Sequence, residues 1–257
     1  YFDIGQMSGH FDEVLHAFLL TLLLSIVAGV LSLAWGLVLA QLRQLPGRGF
    51  LPVRFMTIAY IDVFRGIPLL LIILLISGSL PFLEFLPESV RIPHWFGQPD
   101  PFWYGVLAIT ITYGAYMAEV YRAGIEAVPQ GQMEAARSLG MSHRQAMRHV
   151  IVPQAVRKVF APLLNDFIAL MKDTTLVSVI AFNEVALVGR TIQSETFNSS
   201  ALVLGAVMWR GGTRPRARRG DKLISREQSR FTRGAPRTEA LGCRLAKTAG
   251  RCCGGRG

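Results

Sequence analysis

Long uncharged runs alternate with short polar ones along this chain. No Asp, Glu, Lys or Arg occurs from Val14 to Leu42, a run of 29 residues. A helix needs about 20 residues to cross a bilayer, so this run predicts a first membrane span. Within it Ala28, Ser32, Gly36 and Ala40 recur at every fourth position, a stripe of small side chains that lets another membrane helix approach closely. A second apolar stretch at 55–83 is interrupted by Asp62 and Arg65, whose spacing allows an ion pair within one helix. A third span is expected at 101–118, a fourth at 159–182 and a fifth from about residue 196. The pattern predicts an all-α membrane protein with about five transmembrane helices.

Between the third and fourth runs lies a polar region, about 122–158, and its centre at 131–153 reads as two short helices. Residues 132–139 hold strong helix formers and stop at Gly140, a residue suited to the position just past a helix end. Ser142 with Gln145 three residues on has the spacing of a capping box. Ala146, Met147, Val150 and Ile151 then make one apolar stripe. The expectation is a helix-turn-helix with an exposed, charged elbow. Two helices joined by a Gly turn also occur in DNA-binding proteins, so a membrane-anchored regulator that binds DNA through this pair is the rival reading.

Composition supports the membrane class, with 51% hydrophobic residues, 17% charged residues and a mean hydropathy of +0.36. The net charge of +10 has to be located before it means anything. Residues 210–257 carry 14 of the Lys/Arg and 3 of the Asp/Glu, leaving 13 positive and 14 negative charges on residues 1–209. The basic character therefore belongs to the tail, and no nucleic-acid partner is expected. The elbow adds to this: Arg137, Arg144 and Arg148 stand against Glu134, too little for a DNA-reading pair. Lys and Arg favour the cytoplasmic side, which puts the N-terminus outside, 43–54 inside, 84–100 outside and 119–158 inside. The three cysteines all fall in the tail and the five histidines are scattered, so no metal site is expected. No phosphate-cradling G-x-x-x-x-G-K-[ST] run and no nucleophile–base arrangement occurs. The chain is not read as an enzyme, and no catalytic residue is assigned.

The fifth run, 196–209, is only 14 residues long before the chain turns to RGGTRPRARRG. A helix that ends there stops mid-bilayer. The division expected is therefore a membrane domain at 1–209 and an Arg/Gly-rich tail at 210–257. The tail is read as a frameshifted or vector-derived translation replacing the end of the fifth helix, or else as a disordered basic segment that binds lipid headgroups or nucleic acid. The chain opens on Tyr1 without a basic leader, so something upstream is expected and no signal peptide is read.

Four segments in order carry a family likeness: VFRGIPLL (63–70), AYMAEVYRAGIEAVPQGQ (115–132), EAARSLGMSHRQAMRHVIVPQA (134–155) and PLLNDFIALMKDTTLVSVI (162–180). They resemble the permease subunits of bacterial ATP-binding-cassette importers, in the polar amino-acid branch with its EAA loop, over roughly residues 14–209. The resemblance implies a type I importer permease fold in the bacterial plasma membrane. It implies a coupling helix seated on a separate ATPase, with Glu134 as polar anchor, Ala135 and Ala136 permitting close approach, Gly140 making the turn and Pro153 closing the motif. It also implies two ATPase copies holding ATP and Mg²⁺, a second permease subunit, an extracytoplasmic amino-acid-binding protein and surrounding lipid. This chain itself needs no cofactor. Ionisable groups inside spans are costly unless paired or functional. Asn165, Asp166, Lys172, Asp173 and Glu184 are thus substrate-path candidates, with Lys172 and Asp173 preferred because a zwitterion needs a partner for each charge. Asp62 with Arg65, and Glu119 with Arg122, are read as structural pairs.

Overall fold

The computed structural model describes residues 9–211 apart from 46, 85, 92, 94–96 and 98. The tail from residue 212 and part of the 84–100 loop thus lie outside the described residues. No β-strand occurs among the described residues.

Helix α1 (Phe11–Arg43) carries Asp12 and Glu13 in its first turn and Arg43 in its last, each charge suited to the dipole end it occupies. At 1.5 Å per residue its 33 residues reach about 50 Å. Ala28, Ser32, Gly36 and Ala40 are all buried, and they pack against α5 (Asp100–Glu126). A Cβ on Gly36 would lie 2.8 Å from Met117 Cβ and 2.9 Å from the Gly114 carbonyl oxygen. Gly114 in turn leaves room for Trp35, whose Cδ1 would stand 2.6 Å from a Cβ there. The small-residue face is therefore the seam between the two longest helices of the fold.

The expected second span is broken. Helix α2 (Leu51–Gly66) and α3 (Leu69–Ser79) meet at an angle of 106°. Pro68 disfavours the helical region for its predecessor, and Ile67 accordingly sits extended at φ −92°, ψ 130°. A short helix α4 (Glu88–Arg91) precedes α5. Among the described residues, α1 alone is fit by length and composition to cross a membrane, rising to three spans if each bent pair counts as one. The third expected span lies within α5, whose polarity comes from groups such as Tyr104, Thr112 and Tyr113 that are buried against neighbouring helices.

The polar region contributes α6 (Gln130–Ser138) and α7 (His143–Ala146). A π-helical turn at Met147–Ile151 then joins α7 directly to α8 (Val152–Asp173). The fourth span thus starts well before residue 159. Pro153 and Pro162 each lack an N–H; the first follows the π turn, and the second removes one rung inside a helix that nonetheless runs on. A 3₁₀ segment, Thr174–Ile180, ends at Ala181 with φ +59°. Helix α9 (Val185–Thr196) departs there at 52°. The last helix, α10 (Ser200–Gly211), is short and returns to α1 through Val14, Ile192 and Leu204 and an edge contact of Phe18 with Trp209. The main core lies where α1, α3, α5 and α8 meet, around Leu24, Ile73, Ile109, Met117 and Leu170.

Candidate functional site

Two features stand at opposite ends of α8. The first is the elbow. Helix α6 ends in a Schellman motif: Gly140 N–H donates to the Arg137 carbonyl at 3.0 Å and Met141 N–H to the Ala136 carbonyl at 3.2 Å. Gly140 holds φ +84°, a left-handed conformation that costs a side-chain-bearing residue steric strain. The capping box of α7 is complete, with Gln145 N–H donating to Ser142 Oγ at 3.3 Å and Ser142 N–H to Gln145 Oε1 at 2.9 Å. Both inner ends of the turn are thus satisfied locally.

The elbow rests on a small apolar cluster of Val128, Ile151 and Ala155 with Met133, Met147 and Val150 around it. Ala136 faces inward, whereas Glu134, Ala135, Gly140 and Pro153 are exposed. Leu139 is 79% exposed at the tip, an apolar residue the motif reading passed over. Polar contacts tie the elbow's base to the bundle. Gln154 Nε2 donates to Gln132 Oε1 at 3.3 Å, and Lys158 Nζ donates to the Ala127 carbonyl. Nearby, Glu119 accepts from Arg43 Nη1 at 2.8 Å and from Arg122, which also donates to Glu126. The Glu119–Arg122 pair therefore forms, and it reaches across to α1. The Asp62–Arg65 pair does not: among the described residues these two share no ion pair, and the Arg65 guanidinium lies over the Tyr116 ring, 5.4 Å from its centre. Arg65 belongs to the last turn of α2, where the break at Gly66–Pro68 turns it toward α5.

The second feature is a pocket of about 350 Å³ at that break. Asp166, Ala169 and Asp173 supply one wall; their spacing of three and four residues keeps them on one face of α8. Arg65 and the Gly66–Leu69 break supply another, and Thr112, Tyr113 and Tyr116 of α5 the third. Tyr113 Oη donates to Asp173 Oδ2 at 2.7 Å, and Tyr116 Oη donates to the Arg65 carbonyl at 3.2 Å. The pocket thus holds two carboxylates and a guanidinium, with Asp173 positioned by Tyr113 and Arg65 by Tyr116.

Of the substrate-path candidates, Asp166 and Asp173 line this pocket; Asn165 and Lys172 are exposed and do not. Consecutive residues on a helix point about 100° apart, so Lys172 turns away when Asp173 turns in. Glu184 is fully buried elsewhere, capping α9 by accepting from Leu187 N–H at 3.0 Å.

Residues 32–210 match the family described as "Binding-protein-dependent transport system inner membrane component". The chain belongs to that family. The permease is 36% identical over 202 residues to the probable glutamine ABC transporter permease protein GlnM of Bacillus subtilis, covering 79% of this chain and 84% of that one. It is 31% identical over 211 residues to the glutamate/aspartate import permease protein GltK of Escherichia coli O157:H7, covering 80% and 88%. Its fold is similar to a chain in the crystal structure of an amino acid ABC transporter with histidines, with TM-score 0.76 and 33% identity over 88% of this chain and 99% of that one. A chain of the inward-facing MetNI methionine transporter shares the fold at TM-score 0.67 and 15% identity, covering 84% and 97%. The type I importer permease fold expected from the motifs is the fold of this chain. The DNA-binding reading gains no support: α7 runs straight into α8 and leaves no free recognition helix.

Proposed function

We propose that this permease moves a polar amino acid into the bacterial cytoplasm, with the N-terminus outside and the elbow inside. The relatives' named substrates support the class, and the charges of the pocket suit a zwitterion: Arg65 for the carboxylate, Asp166 or Asp173 for the ammonium. ATP and Mg²⁺ belong to two copies of a partner ATPase, one on each of two permeases, and a binding protein delivers the amino acid from outside.

The observation that carries this reading is the continuity of α8. The same helix bears the elbow at one end and Asp166, Ala169 and Asp173 at the other. From Pro153 to Asp173 is about 30 Å at 1.5 Å per residue. A displacement of the elbow by the ATPase therefore moves a wall of the pocket. Energetically, the ATPase has to bind one permease conformation better than the other, since only differential affinity shifts an equilibrium. Co-purification tests the partner: the wild-type chain retains the ATPase in detergent and Glu134→Lys loses it with the helical fold intact. Retention of the ATPase by Glu134→Lys would remove the elbow from the interface.

A further inference from the structure

We infer that the pocket sorts amino acids by side-chain charge and takes basic ones, of the lysine or arginine type, ahead of neutral and acidic ones. This rests on the reading that the pocket lies on the substrate path. The charges facing it do not balance. Asp166 and Asp173 stand against Arg65 alone. Lys172 is exposed and absent from the lining, and Glu119, outside the pocket, is engaged by Arg43 and Arg122. An amino acid's carboxylate is met by Arg65, helped by the N-terminal end of α3, where Leu69 lines the pocket at the positive end of the helix dipole. Its ammonium is met by one carboxylate. The other remains for the side chain.

The spacing of the two carboxylates suits that assignment. Asp166 and Asp173 are two turns apart on one face, roughly 10 Å along the axis at 1.5 Å per residue. A three- or four-carbon stem with a hydrogen bond at each end bridges such a separation. An acidic side chain would instead set a third carboxylate among the two already there, and like charges in a partly desolvated site repel strongly. Asp173 is fixed by Tyr113, whereas Asp166 makes no hydrogen bond or ion pair among the described residues and feels only the longer-range attraction of Arg65, so it is left to answer a substrate cation once Arg65 holds the carboxylate.

The test is direct binding of radiolabelled L-arginine, L-glutamine and L-glutamate to the detergent-solubilised permease–ATPase complex without the binding protein, so that the delivery step does not filter the result. The expected order is arginine, glutamine, glutamate, with arginine at least tenfold tighter than glutamate, and Asp166→Asn cutting the arginine-to-glutamine ratio about fivefold or more. Glutamate binding as tightly as arginine, or a ratio untouched by Asp166→Asn, overturns the charge inference while leaving the pocket on the path. Ala169→Trp, which fills the pocket, separates the two failures: if it leaves binding of all three intact, or if the wild-type complex binds none of them, the path reading itself falls. Both variants are scored only as complexes that retain the ATPase at wild-type stoichiometry.

Discussion

Replacing Gly140 isolates the contribution of one backbone conformation to coupling. Gly140 holds φ +84° and no atom beyond its two chain neighbours lies within 4 Å of the place a Cβ would occupy. A side chain there meets no neighbour, so the penalty is confined to the left-handed backbone, about 1–2 kcal/mol. That corresponds to a factor of about 5–30 in the population of the native turn. Against it stand the two Schellman bonds and the apolar cluster under the elbow. The expected outcome for Gly140→Ala is a rise of up to that factor in the Kd for the ATPase, since apparent affinity falls with the fraction of competent elbow. Gly140→Asn, whose side chain tolerates the left-handed region, loses less. The assay is titration of the ATPase onto the permease in nanodiscs, with Tm of the spans as the control that should not move. Wild-type affinity for Gly140→Ala would refute the claim that this turn is what the ATPase reads.

Three further outcomes follow from the geometry. Gly36→Leu, forced against Met117 Cβ and the Gly114 carbonyl oxygen, overpacks the α1–α5 seam by about 1–3 kcal/mol; detergent thermal unfolding should show a lowered Tm, and an unchanged Tm would mean the seam gives way freely. Tyr113→Phe removes the 2.7 Å hydrogen bond to Asp173, a charge-assisted bond of about 1.5–3 kcal/mol, so KM for uptake should rise about tenfold with the complex intact; an unaltered KM would separate Tyr113 from substrate binding. For orientation, an impermeant maleimide on right-side-out cells should label Phe82→Cys and spare Ser138→Cys, and the opposite pattern would invert the topology.

The elbow was legible residue by residue because its rules are local. Gly at the helix end, and Ser with Gln three on, fix hydrogen bonds within six residues of chain, and the structure makes those bonds. The small-residue face of α1 was legible for a similar reason, since a period of four needs no knowledge of the partner. The pocket was not, because its walls come from residues about 50 and 100 positions apart and only packing brings them together. Two signals were present all the same. Gly66-Ile67-Pro68 marks a helix break inside an apolar run, and Asp166, Ala169 and Asp173 share a helix face that Lys172 cannot share. Arg65, paired on paper with Asp62, was drawn instead to Tyr116 by that same break. Leu139 fell outside both kinds of signal: a single exposed leucine after a helix is ordinary in sequence and notable only at the tip of an elbow.

On this reading α8 carries motion from the elbow to the pocket. The most direct measurement is the number of amino-acid molecules imported per ATP hydrolysed by reconstituted complexes carrying Val156→Gly and Arg157→Gly, two exposed positions of α8 between the elbow and the pocket. Each glycine weakens an exposed helix interior by about 1 kcal/mol without touching either end. The expected result is an ATPase that stays bound and hydrolyses ATP while the transport-to-hydrolysis ratio falls severalfold. A wild-type ratio in that double variant would contradict it.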